Sequence, residues 1–120
     1  MSPRKTPALV ECSFLIPIRG DAALSDGSEH STEQWEWLTD ELWTRFGAGT
    51  QAPGLYIGFY TDPDTGLPVT DESRRYTVAV SQKQIRELRD LMREACSVFC
   101  QKCIYLSIAG KVEFIERSHR

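Results

Sequence analysis

Residues 53–81, PGLYIGFYTDPDTGLPVTDESRRYTVAVS, set two β-branched and aromatic runs around a segment crowded with Asp, Pro, Gly, Thr and Ser. That composition predicts strands over 55–61 and 75–81 joined by a turn-bearing loop. Pro63 and Pro68 lack the amide hydrogen a ladder needs, so the stretch between the strands is expected to leave the sheet. The rest of the chain lays out around this hairpin as one strand–helix unit before it and one helix–strand unit after it.

In chain order, residues 9–18 (LVECSFLIPI) alternate with Val10, Cys12, Phe14, Ile16 and Ile18 on one face, which predicts a strand with an irregular end at Pro17. Ser31 and Gln34 have the spacing of a capping box, and Trp35, Leu38, Leu42 and Phe46 then recur as one helical stripe that Gly47 terminates. Trp37 points off that stripe, so either a loop covers it or it is a partner contact. Ser81 caps a second helix running from Gln82 to about Cys100, with Ile85, Leu88, Met92, Ala95 and Phe99 as its buried stripe. Residues 104–109 and 112–115 read as a final strand interrupted by a turn or bulge at Gly110 and Lys111. A flexible tail over 1–8, one domain over 9–116 and a charged tail over 117–120 complete the layout. The order β-α-β-β-α-β predicts a ferredoxin-like α+β fold, a four-stranded antiparallel sheet with both helices on one face.

In that arrangement Leu55, Ile57 and Phe59 face the helices with Val78 and Val80. The opposite face carries Glu11, Ser13, Tyr56, Tyr60, Arg75, Thr77 and Tyr105 among small residues. Small side chains admit a close neighbour and tyrosines offer an apolar body with a polar tip, so this face is expected to meet a second copy, a protein partner or a small ligand.

The net charge of −3 argues against a general polyanion binder, and no apolar run approaches the ~20 residues of a membrane helix. With Tyr76 turned inward, the third strand lacks the alternate aromatics of an RNA-stacking platform, so neither nucleic acid nor membrane is an expected partner. The N-terminus has no apolar stretch of a signal peptide, so the chain is expected in the cytoplasm, with Cys12, Cys96, Cys100 and Cys103 as reduced thiols. Cys96, Cys100 and Cys103 have the C-x3-C-x2-C spacing of an iron–sulfur loop, but they close a helix in a short chain and read as structural thiols; no metal or cofactor is expected. The Asp62–Gly66 stretch fails the EF-hand pattern and reads as an Asx-rich turn. Arg19-Gly20-Asp21 is a three-residue match that arises by chance. In 71–76, Asp71 or Glu72 could act as acid/base beside Arg74 or Arg75, but the plainer reading is a strand entry with Arg75 paired to Glu11.

The Trp35-to-Phe46 helix, Gly54, Gly58, the turn at 62–66 and the Glu72-Ser73 pair resemble a family of small bacterial ferredoxin-like proteins of unknown function. The resemblance covers the middle half of the chain and implies the fold without an activity.

The reading that follows is a non-catalytic interaction or small-ligand-binding module that dimerises through its open sheet face. The alternative is a cofactor-free enzyme of the dimeric α+β barrel type, acting on a small aromatic or polyketide-like substrate among Tyr56, Tyr60, Tyr105, Glu11 and Arg75.

Overall fold

The computed structural model describes residues 8–118; residues 1–7 and 119–120, which hold most of the N-terminal tail and His119, lie outside the described residues. The first strand, β1, covers Leu9–Pro17 and buries every second residue, with Cys12, Phe14 and Ile16 fully enclosed. Helix α1 covers Thr32–Phe46 and starts as the sequence specifies. The Ser31 Oγ accepts from the Gln34 amide at 3.3 Å, and the Gln34 Oε1 accepts from the Ser31 amide at 2.6 Å. Gly47 ends it in the left-handed region (φ 73°), where a glycine avoids the Cβ penalty.

Two short strands follow, β2 at Thr50–Gln51 and β3 at Tyr56–Thr61, and then a long strand, β4, at Pro68–Ser81. A single 3-10 turn at Gln82–Gln84 leads into α2, Ile85–Val98. Strands β5 (Cys103–Ile108) and β6 (Lys111–Glu116) close the chain as a hairpin. Its two-residue turn, Ala109-Gly110, has both residues left-handed (φ 50° and 83°), the conformation that matches strand twist in a tight hairpin.

All strand pairings are antiparallel. Among the described residues the sheet has six strands rather than four, in the order β2-β4-β1-β5-β6, with β3 paired to β4 alongside β2. The two additions have plain origins. The final run splits at its turn into β5 and β6, and Thr50–Gln51 adds a short rung to the C-terminal half of β4. Both helices and the inward residues of β1, β4 and β5 share one apolar core. Tyr76 is buried in it, stacked on Phe14 at 5.3 Å between ring centroids.

Three expectations need correcting. The excursion between β3 and β4 is shorter than the prolines imply. Pro68 opens β4 opposite Thr61, a strand-start position at an edge where no donor is required, and only 62–67 form the loop. Leu55, Ile57 and Phe59 do not reach the helices. Ile57 and Phe59 keep the helix-side parity of Glu72 and Thr70 opposite them, yet they are 71% and 85% exposed. The reason is length: β1 pairs β4 only as far as Ser73, so residues 68–71 have β3 alone beside them, and the two strands project as an arm past both helices. The Cα radius of gyration of 15.6 Å, against about 13 Å for a compact chain of this size, agrees with a projecting element. Trp37 is not free: it lies edge-on to Phe99 at 6.2 Å, whereas Trp43 is 65% exposed.

Phe99 is the hub at the end of α2. Its ring is fully buried, with His30 at 4.8 Å and Trp35 at 4.9 Å between centroids. His30 Nε2 lies 2.8 Å from the Pro17 carbonyl and so donates to it. Gln34 Nε2 lies 3.4 Å from the other ring nitrogen and donates there and to the Val98 carbonyl. Burial holds the His30 pKa below its usual value, consistent with this neutral tautomer.

Candidate functional site

The root of the arm brings together residues from three parts of the chain. On β3, Tyr56, Gly58 and Tyr60 alternate onto one face, and the register sets Ser73, Asp71 and Val69 of β4 directly opposite them. Directly opposed residues share a face, so Asp71 projects over Gly58. A Cβ at Gly58 would sit 2.8 Å from the Asp71 Oδ1, closer than side-chain atoms tolerate. Gly58 is therefore the space into which the Asp71 carboxylate folds.

That carboxylate has no hydrogen-bond or ion-pair partner among the described residues, and its partial burial raises its pKa above the ordinary aspartate value. The Tyr60 phenol is raised as well, by burial first and then by the negative charges of Asp71, Asp21 and Asp62. The site is thus a carboxylate lined by tyrosines, with uncompensated negative charge around a phenol.

Asp21 is carried there by the loop after β1. Its amide donates to the Cys100 carbonyl at 2.8 Å, and the Gln101 Nε2 donates to the Arg19 carbonyl at 2.8 Å, tying the loop to the end of α2. Gly20 is required between them. A Cβ there would lie 2.3 Å from the Ser25 Oγ and 3.4 Å from the Cys100 Cβ. The Arg-Gly-Asp tripeptide is accounted for by this packing. Cys100 itself is left-handed (φ 51°) where it turns the chain out of α2. At the arm's tip, Lys102 Nζ stands 3.6 Å from an Asp64 carboxylate oxygen, so the tip bends toward the start of β5.

Of the residues chosen from sequence, Tyr56 and Tyr60 lie in this site. Arg75 lies beside it with its Cζ 5.8 Å from the Tyr56 ring centroid. Glu11 does not join them. It is opposite Ala79, while Arg75 is opposite Leu15, four residues or ~14 Å along the strand, so the expected Glu11–Arg75 pair is absent. Ser13 and Thr77 face each other midway along the sheet, and Tyr105 packs edge-on to Phe114 at 5.9 Å. In the sequence Asp71 reads either as a strand-entry residue or as an acid/base candidate; the glycine at 58 is the stronger signal, and its partner across the hairpin is invisible until the register is known. Cys96 is enclosed, its Sγ donating to the Ile115 carbonyl at 3.3 Å, and burial pushes its pKa up to about 11. Among the described residues, no three His, Cys, Asp or Glu side chains form a metal-holding group.

No protein-family model and no curated protein matches this chain. Solved structures do. A phage SAM lyase in complex with S-methyl-5'-thioadenosine superposes with a TM-score of 0.64 at 17% identity, covering 94% of this chain and 91% of that one. A phage SAM lyase in its apo state gives 0.62 at 16% identity, covering 100% and 98%. At such identities the likeness is one of fold, and it extends over essentially the whole of both chains.

Proposed function

We propose that this chain captures S-adenosylmethionine at the root of the arm and cleaves it as a lyase. The whole-chain likeness to a SAM lyase carries the reading, and the site chemistry supports it. The ligand's sulfonium is a permanent cation with no proton to donate, and a half-buried, unpartnered carboxylate beside aromatic rings suits such a charge. Breaking the S–Cγ bond sends its electron pair to sulfur and releases neutral S-methyl-5'-thioadenosine. The four-carbon fragment's own carboxylate closes on Cγ to give a lactone, so atoms and charge balance. Positive charge disappears along this path, so Asp71 favours the ground state. Its role is capture, and acceleration comes from holding the carboxylate and Cγ in line away from water. The test is direct: incubation with S-adenosylmethionine, followed by mass spectrometry, is expected to show protein-dependent S-methyl-5'-thioadenosine. Neither product nor any thermal shift with the substrate would end the proposal.

The partner is read as a second copy of this chain, seated on the arm rather than on the flat sheet face. A two-stranded hairpin is marginal in water, and here Ile57, Phe59 and Leu67 (62% exposed) leave it with no apolar cover of its own. We expect sedimentation to show an oligomer that Ile57→Lys/Phe59→Lys converts to monomer with its circular dichroism unchanged. A monomeric parent protein at assay concentration would refute this.

A further inference from the structure

A second concavity lies at the far end of the sheet. Val10 pairs Val80 and Pro17 pairs Ser73, so it is about seven residues, or ~24 Å, along β1 from the arm. Between the first turn of α2 and the β5–β6 turn is an open groove of about 440 Å³, with Val10, Ile85 and Ile108 as its floor and Arg86, Arg89 and Lys111 at its rim. That volume is within the range of small-molecule sites.

The three cations are not equivalent. Arg89 is committed to Glu113, its Nε and one terminal nitrogen donating to the two carboxylate oxygens at 2.9 and 2.7 Å, which ties α2 to β6. Arg86 and Lys111 have neither an ion pair nor a side-chain hydrogen bond among the described residues. The hairpin turn fixes Lys111 opposite Ile108, and Arg86 follows Ile85 at the helix start, so each free cation stands next to a floor residue. In a chain with a net charge of −3, two uncompensated cations over an apolar floor are a local reversal of sign.

We infer that this groove binds a small amphiphilic anion, its carboxylate or phosphate head between Arg86 and Lys111 and its apolar body on Val10, Ile85 and Ile108. A bare inorganic anion would leave the floor empty and gain only the slight energy of exposed ion pairs. The inference is independent of the sulfonium reading. Titration of the full isotope-labelled chain with octyl phosphate, octanoate and inorganic phosphate, followed by amide chemical shifts, tests it. Saturable shifts at Ile85, Ile108 and Lys111 are expected with an alkyl anion, the tighter of the two identifying the head group. Inorganic phosphate is expected to bind at least about tenfold more weakly. Arg86→Ala/Lys111→Ala should weaken the alkyl ligand by about tenfold or more, and Asp71→Asn should leave it unchanged. Shifts that fail to saturate with both alkyl anions, equal binding by the double variant, or equal binding of inorganic phosphate would overturn it.

Discussion

Asp71→Asn is expected to lower kcat/KM for S-adenosylmethionine by about 100-fold, chiefly by raising KM, because it removes the charge that meets the sulfonium and leaves the shape intact. The parent protein should lose affinity as the pH falls through the raised Asp71 pKa, and the variant should show no such loss. Stability should move the other way. The folded carboxyl holds its proton to higher pH than the unfolded one, so its contribution to stability falls as pH rises through the folded value. At neutral pH the ionised, partnerless group is a net cost, and the variant should melt higher, by about 2 °C given the site's partial exposure. A variant that melts lower and retains full activity would show that Asp71 is a structural residue. Gly58→Ala probes the same geometry from across the hairpin, since its methyl group would occupy the carboxylate's place.

Phe99→Ala is expected to cost about 4 kcal/mol, and to lower the melting temperature by about 15 °C. The ring is fully buried against His30, Trp35 and Trp37, so its removal takes away three aromatic contacts and leaves a cavity. The loss is a large fraction of what a domain of this size has to spare. It also reaches the site, because Asp21 hangs from the carbonyl of the next residue, Cys100. Denaturant unfolding measures the cost directly; a loss below about 1 kcal/mol would mean that the aromatic hub is not a centre of stability.

How much the chain discloses about itself varies along its length. The α1 boundaries are local facts: a Ser-x-x-Gln box and a glycine in the left-handed region act over four residues, so Ser31, Gln34 and Gly47 are readable without a fold. The inward faces of β1 and the C-terminal half of β4 are equally plain, since period-two alternation from Cys12 to Ile16 and from Tyr76 to Val80 matches burial on one side. The same alternation in Tyr56–Thr61 misleads. Parity says which residues share a face but not whether anything covers that face, and the answer for Ile57 and Phe59 depends on where β1 and the helices stop. Polar residues 68–74 read as loop because Asp, Glu and Pro are poor in a buried strand, yet they are tolerated in an arm whose faces meet water.

The sequence by itself determined two amphipathic helices, the cap of α1, the inward faces of the central strands and the enclosure of Cys12. All of these follow from periodicity and residue-by-residue chemistry. The expected start of the second helix at Gln82 under a Ser81 cap is a 3-10 turn instead, with α2 beginning at Ile85. Only the tertiary structure decided that β3 and β4 outrun the sheet, that Gly58 opens a space for Asp71, and that Asp21 is drawn toward Tyr60 by the end of α2. Register and chain crossing put these residues together across ten to eighty positions of sequence, and no local pattern encodes a distance of that kind.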